Sequence, residues 1–166
     1  MIRTLTPDDT TAYRTLRLAA LREQPPAFGT LAEKEEKLAL EEVAARLQAS
    51  EDTYLLGAFV DDNLVGTVRF ARFEEVNEQH RGLIAGMYVA PDSRRRGVAR
   101  ALLGEVLVRA RALGLRRLHL TVVTGQVAAT KLYESFGFEI YGTEREAFFK
   151  EGRFYDEYLM ALVLKI

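Results

Sequence analysis

The stretch Gly82–Gly104, GLIAGMYVAPDSRRRGVARALLG, constrains the fold more than any other part of the chain. Its apolar run Gly82–Val89 is closed by Ala90-Pro91; three arginines and Gly97 follow, and helical periodicity then runs over Val98–Leu113 to a stop at Gly114. Leu115–Val123 is again β-rich, so strand, helix and strand follow in one crossover unit. Upstream, Thr53–Val60 and Leu64–Phe73 flank Asp61-Asp62-Asn63, a strong hairpin signal. A chain that mixes hairpins with helical crossovers builds a mixed sheet covered by helices.

The remaining elements read in the same way. Ile2–Leu5 predicts a strand, with Thr6 as N-cap, Pro7 as first helical residue and Asp8 and Asp9 at the positive end of the next helix. Tyr13, Leu16, Ala20 and Leu21 recur at helical spacing, and Gln24-Pro25-Pro26 ends that helix. Thr30–Ser50 predicts a second helix with an acidic face of Glu33, Glu35, Glu36, Glu41 and Glu42. Glu74–His80 is a polar loop. Val127–Phe136 predicts a helix stopped by Gly137, Phe138–Tyr141 a short strand, and Arg153–Leu164 a long last strand after a turn at Glu151-Gly152. The order is βααβββαβαββ, in a single domain over 1–166, as a chain of 166 residues without repeat or linker implies.

Composition removes several chemistries. With no cysteine there is no disulfide, thiolate metal site or cysteine nucleophile, and two histidines, His80 and His119, make a zinc site improbable, so no metal is expected. No apolar run reaches the roughly 20 residues of a membrane span, and Met1-Ile2-Arg3-Thr4 followed by acids does not read as a signal peptide. A cytoplasmic protein without membrane or nucleic-acid partners is expected. The charge is uneven: residues 1–80 carry 9 Lys and Arg against 15 Asp and Glu, residues 81–166 carry 14 against 9. Arg94–Arg117 holds eight arginines and a single acid, Glu105, but no aromatic, which argues against a nucleic-acid face. Solvated helix faces explain such a pattern; so does an anionic ligand on the second half and a cationic one on the first.

A strand that enters a short basic loop and then a helix is the layout that receives a phosphate. Amides at a helix start have no partner and carry partial positive charge. Gly97 allows close backbone approach, Ala99 keeps the next turn clear, and Arg94, Arg95, Arg96 and Arg100 add charge. The same pattern fits a plain strand–helix connection with a glycine breaker. It is neither a dinucleotide fingerprint, since G-x-G-x-x-G is absent, nor a P-loop, since no G-K-[ST] follows.

Met87-Tyr88-Val89-Ala90-Pro91 followed by Arg94-Arg95-Arg96-Gly97-Val98-Ala99 resembles the acetyl-CoA signature [QR]-x-x-G-x-[GA] of the GNAT superfamily of N-acetyltransferases. Gln126-Val127-Ala128-Ala129-Thr130-Lys131-Leu132-Tyr133-Glu134-Ser135-Phe136-Gly137-Phe138 is similar to that family's N-x-x-A-x-x-L-Y-x-x-x-G-F. The motifs stand in the family's order, and the likeness spans essentially the whole chain. It implies an α/β (α+β) fold with a mixed, mostly antiparallel central sheet and helices on both faces. It also implies a bulged strand, with Gly86 a plausible bulge, whose backbone at Met87, Tyr88 and Val89 pairs with the pantetheine arm of acetyl-CoA. The pyrophosphate would lie on Arg94, Arg95, Arg96, Gly97, Val98, Ala99 and Arg100. Gln126 stands where the family usually has Asn, one methylene longer.

By the same resemblance Tyr133 is the candidate catalytic acid, since a phenol with a pKa near 10 can protonate a departing thiolate; packing beside Leu132 is its ordinary role. No acid lies on Gly82–Val89, so Glu33, Glu35, Glu36, Glu75, Glu78 and His80 are base candidates by proximity in sequence, with a water relay as the default; His119 reads as a packed or edge histidine. The expected activity is transfer of acetyl from acetyl-CoA to a small primary or peptide amine, in a pocket built from Leu21–Gly29, the acidic helix and Glu74–His80. The acids there hint at a cationic acceptor. A non-catalytic acyl-CoA sensor on the same fold is the alternative, and a homodimer is a family-level expectation.

Overall fold

A computed structural model describes residues 1–23 and 31–165. Strands β1 (Ile2–Thr4), β2 (Thr53–Val60), β3 (Asn63–Arg72), β4 (Arg81–Val89), β5 (Arg117–Val123), β6 (Glu139–Lys150) and β7 (Arg153–Val163) form one sheet in the order β1-β2-β3-β4-β5-β7-β6. Every pair is antiparallel except β4–β5, which is the crossover made by α4 (Val98–Ala112). The remaining helices are α1 (Thr10–Glu23), α2 (Ala32–Glu36), α3 (Leu40–Arg46) and α5 (Val127–Ser135).

Why helices cover both faces is visible in β2, whose buried run Tyr54–Phe59 has no polar side. Alternation sends Tyr54, Leu56 and Ala58 into the main core with Leu102, Leu103, Val106 and Leu107 of α4. It sends Leu55 and Phe59 the other way, onto Tyr13 of α1 and Val43 of α3. The β2–β3 hairpin turns on Asp61 and Asp62, both at positive φ (48° and 62°), the two-residue turn that matches strand twist.

Three expectations are corrected. Thr30–Ser50 is not one helix: α2 and α3 are separate and short, with a break over 37–39. Glu35 and Val43 are their buried residues, so each helix turns one residue inward and neither has a continuous apolar face. Thr6-Pro7 starts with a 3-10 turn over Pro7–Asp9 before α1 begins at Thr10, and the Thr6 amide donates to Asp9 Oδ2 at 2.8 Å. The expected short strand Phe138–Tyr141 is the start of a 12-residue edge strand, β6, whose two irregularities, at Ile140/Gly142 and Glu144/Phe148, interrupt its alternation. The expected stop Gln24-Pro25-Pro26 lies outside the described residues.

Candidate active site

Two features of β4 create the site. It pairs with β5 only at Arg81–Leu83, so from Ile84 onward its outer edge parts from the neighbouring strand. Opposite Val68, the register with β3 slips, and Gly86 takes a left-handed φ of 61°. The extra residue reverses which face each later side chain takes. Ile84 lies in the α4 core, and Tyr88, which plain alternation would send there too, lies instead against Leu16 and Ala20 of α1.

The bulge is therefore what brings Tyr88 to the end of α1. Its hydroxyl donates to Glu23 Oε2, while Arg94 Nη2 lies 2.6 Å from Glu23 Oε1 and Arg94 Nε donates to the Val89 carbonyl at 2.9 Å. Burial and the adjacent carboxylate push the Tyr88 phenol up to about 12. Glu23's carboxyl is held below its usual value; burial opposes this, and the bonds from Tyr88 and Arg94 outweigh it. The Ala90 amide donates to the Val65 carbonyl at 2.8 Å, so alternation turns the Val89 amide and carbonyl away from β3, toward the parted edge.

At the start of α4, Arg95 (φ 60°) and Gly97 (φ 78°) are both left-handed. Among the described residues no backbone or side-chain acceptor takes the amides of Arg95 to Arg100, so consecutive N–H groups are presented in one concave turn. Gly97 is required by its φ and not by crowding, since a β-carbon there would meet nothing within 4 Å. The four arginines divide. Arg94 is committed to Glu23 and Val89; Arg100 donates to Ser135 Oγ at 2.9 Å and lies over the Phe136 ring; Arg95 and Arg96 are exposed. Val98 and Ala99 are half-buried in the first turn, and Met87 packs on the main core.

Tyr133 belongs to that same core, 6% exposed, edge-on to Phe138 at 5.9 Å. Burial alone pushes its phenol up to about 12. Gln126 is set apart, with Val123–Gly125 and Arg153–Asp156 around a separate hollow of about 340 Å³.

A cleft of about 670 Å³ opens on the α1 face beside the bulge. Tyr13 and Arg17 of α1, Glu35, Arg46, Thr67 and Arg69 of β3, Leu83–Gly86, Thr121, Phe148 and Glu157 line it. Arg17 Nη1 lies 3.9 Å from where a β-carbon on Gly86 would sit. Glu35, 1% exposed, accepts from Arg46 Nη1 at 2.7 Å.

This cleft is not walled as the sequence implied. Glu74–His80 does not line it: Glu78 pairs with Arg81 at 2.5 Å, and the His80 carbonyl accepts from the amides of Arg116 and Arg117 at 2.8 and 3.2 Å. Of Leu21–Gly29 only 21–23 are described, and Leu21 is core. Of the acidic helix only Glu35 faces in, already paired, and Glu36 pairs outside with Arg22. Among the described residues the cleft carries three guanidiniums, Arg17, Arg46 and Arg69, and two carboxylates, Glu35 and Glu157, and Arg46 pairs with Glu35. His119 is half-buried between Phe73 and Tyr141 rings, and burial holds its imidazole below the usual value. Arg17, Arg69, Thr121 and Glu157 line the cleft although the sequence did not single them out. The one available signal was the pair of acids Asp156-Glu157 that opens the apolar run of β7.

A family model described as the acetyltransferase (GNAT) family matches residues 11–138. The chain is 33% identical over 111 residues to the L-amino acid N-acetyltransferase AaaT of Escherichia coli (strain K12), covering 65% of this chain and 67% of that protein. It is 34% identical over 95 residues to the spermidine N(1)-acetyltransferase of Vibrio cholerae serotype O1, covering 57% of this chain and 53% of that protein. Among solved structures, a GNAT-family acetyltransferase from Streptococcus pneumoniae superposes with a TM-score of 0.87 at 28% identity over 99% of both chains. The structure of yncA from Salmonella typhimurium with its cofactor acetyl-CoA gives 0.86 at 20% identity, over 100% of this chain and 94% of that one.

Proposed function

Because the chain belongs to the GNAT family of acetyltransferases, we propose that it moves the acetyl group of acetyl-CoA to the amine of a small acceptor that also bears a carboxylate, an amino acid being the simplest. The observation that carries this reading is the Arg17 guanidinium set against the Gly86 bulge, in a cleft that also holds Arg69 and a carboxylate, Glu157. A carboxylate one carbon from the reacting nitrogen would meet Arg17 while the amine faces the parted edge of β4, with the charge-assisted bonds a guanidinium makes best. The relative from Escherichia coli is named for L-amino acids, and the reading agrees with that name.

In this reading the amides of Arg95 to Arg100 take the pyrophosphate, with Arg95 and Arg96 screening its charge. The pantetheine arm runs along the outward amide of Val89 and the backbone at Met87, as an added strand would. Both substrates are bound at once, and the neutral amine attacks the thioester directly, which makes alignment the main source of rate. Tyr133 gives its proton to the departing sulfur. A phenol at about 12 is fully protonated at neutral pH and holds its proton until negative charge builds on sulfur.

The test is an acceptor panel of amino acids, spermidine and simple alkylamines with free thiol as readout. The acid–amine acceptors should turn over best. Arg17→Met should raise KM for them by roughly 10–100-fold, the worth of a charged hydrogen bond, and leave alkylamines unchanged. Preference for spermidine, or equal effects of Arg17→Met on all acceptors, would overturn the carboxylate-bearing acceptor.

A further inference from the structure

We propose that Glu157 of β7 is the group that takes the proton shed by the acceptor nitrogen as it attacks the thioester. The proposal rests on the acetyltransferase reading above but not on the acceptor being an amino acid.

The parting of β4 from β5 sets the geometry. Ala85 and Gly86 of β4, Thr121 of β5 and Glu157 of β7 all line the cleft. Glu157 stands opposite Val123 on β5 and opposite Glu144 on β6. Asp156 and Glu157 are adjacent acids at the point where the strand turns apolar, continuing Tyr158, Leu159, Met160, Ala161, Leu162, Val163; of the two, only Glu157 lines the cleft. Among the described residues no cation pairs with it, in contrast to Glu35, which Arg46 neutralises in the same cleft. The other charged groups lining the space are Arg17, Arg46 and Arg69, and the like charge that acts on Glu157 is Glu144, opposite it across the β6–β7 pair. Burial and the Glu144 carboxylate push the Glu157 carboxyl up from the usual value, and the Thr121 hydroxyl pulls against them. A half-buried carboxylate beside another carboxylate is costly to stability and improved as a base, the compromise typical of a working site.

The step balances. The neutral amine nitrogen forms the N–C bond and becomes an ammonium, while the carbonyl oxygen takes the electron pair. Glu157 accepts one proton from that nitrogen. The oxyanion collapses, the C–S bond breaks, and Tyr133 protonates the sulfur. The proton on Glu157 returns to Tyr133 through solvent, so amine and thioester give amide and thiol with no other reactant.

Steady-state kinetics on the best acceptor of the panel test it. Glu157→Gln should lower kcat by roughly 10²–10⁴, leave the KM for acetyl-CoA unchanged and leave the melting temperature no lower than that of the wild type. Glu144→Gln, an exposed change, should move the acidic limb of the kcat–pH profile to lower pH, because removing the like charge lets Glu157 ionise earlier. A packing role for Glu157 would not move that limb. A Glu157→Gln enzyme with near wild-type kcat overturns the proposal, as does a limb unmoved by Glu144→Gln, and the latter decides if Glu157→Gln fails to fold. If spermidine proves the best acceptor, the amino-acid reading falls while both measurements still judge Glu157.

Discussion

The turn that begins α4 and the cleft beside it handle charge by different means. At the turn, the unpaired groups among the described residues are main-chain amides from Arg95 to Arg100, held by two left-handed residues, and two of the four arginines, Arg94 and Arg100, are engaged by protein partners. In the cleft, the charged groups are side chains, drawn from helices and strands between Arg17 and Glu157. A backbone site survives exchange of its side chains so long as its dihedrals do. A side-chain site changes ligand with one substitution, so a single scaffold can keep its acetyl donor and vary its acceptor. The two meet at Glu23, the last residue of α1, which holds both Arg94 of the loop and Tyr88 of the bulged strand.

The largest expected effect lies on the chemical step between them. If Tyr133 protonates the departing sulfur, Tyr133→Phe removes one hydroxyl and keeps the ring that sits edge-on to Phe138. Turnover should fall by roughly 10²–10⁴ while acetyl-CoA affinity, read by calorimetry, barely moves. Wild-type turnover with chemistry rate-limiting would make Tyr133 a packing residue. It would also mean that neither region supplies the acid.

What could be read from the sequence follows the same division. Gly97 and Gly86 were legible because a glycine at a strand–helix joint or within a strand answers to local dihedrals, and both prove left-handed. The β2–β3 and β6–β7 turns were legible for the same reason. The role of Arg94 was not, because its partner Glu23 is 71 residues away and only folding brings them together. The cleft was misread where nearness along the chain stood in for nearness in space: the Glu74–His80 loop precedes β4 directly but stays at its paired end. Glu157 lies far along the chain and arrives through the β5–β7 pairing.

A smaller effect tests whether the α4 turn is truly a backbone site. Gly97→Val forces a β-branched residue to φ 78° and should cut acetyl-CoA affinity at least tenfold, about 1.4 kcal/mol. Arg96→Ala, which alters only an exposed side chain, should cost less than that. If Arg96→Ala costs more, side-chain charge and not the presented amides dominates, and the contrast with the cleft disappears.

The smallest effect probes how the cleft's own helix is anchored. Asp9 stands just before α1 and accepts from Arg3 Nη1 and Nη2, both at 2.8 Å, and from the Thr6 amide. The Arg3 bond is the main cause that pulls its carboxyl down to about 2. A carboxyl lowered by folding stabilises the native state above its unfolded pKa and loses that contribution as pH falls through the folded one. The Arg3 side chain is 41% exposed, so solvent screens the pair, and Asp9→Asn should cost about 1 kcal/mol at neutral pH. The gap in melting temperature between wild type and Asp9→Asn should be constant above about pH 4 and close as pH approaches about 2. Because α1 carries Arg17 but no part of the α4 turn, loosening its start should weaken acceptor binding before acetyl-CoA binding. Equal loss of both would mean that the Glu23 junction couples the two regions into one unit, and that the separation drawn between them is only one of sequence.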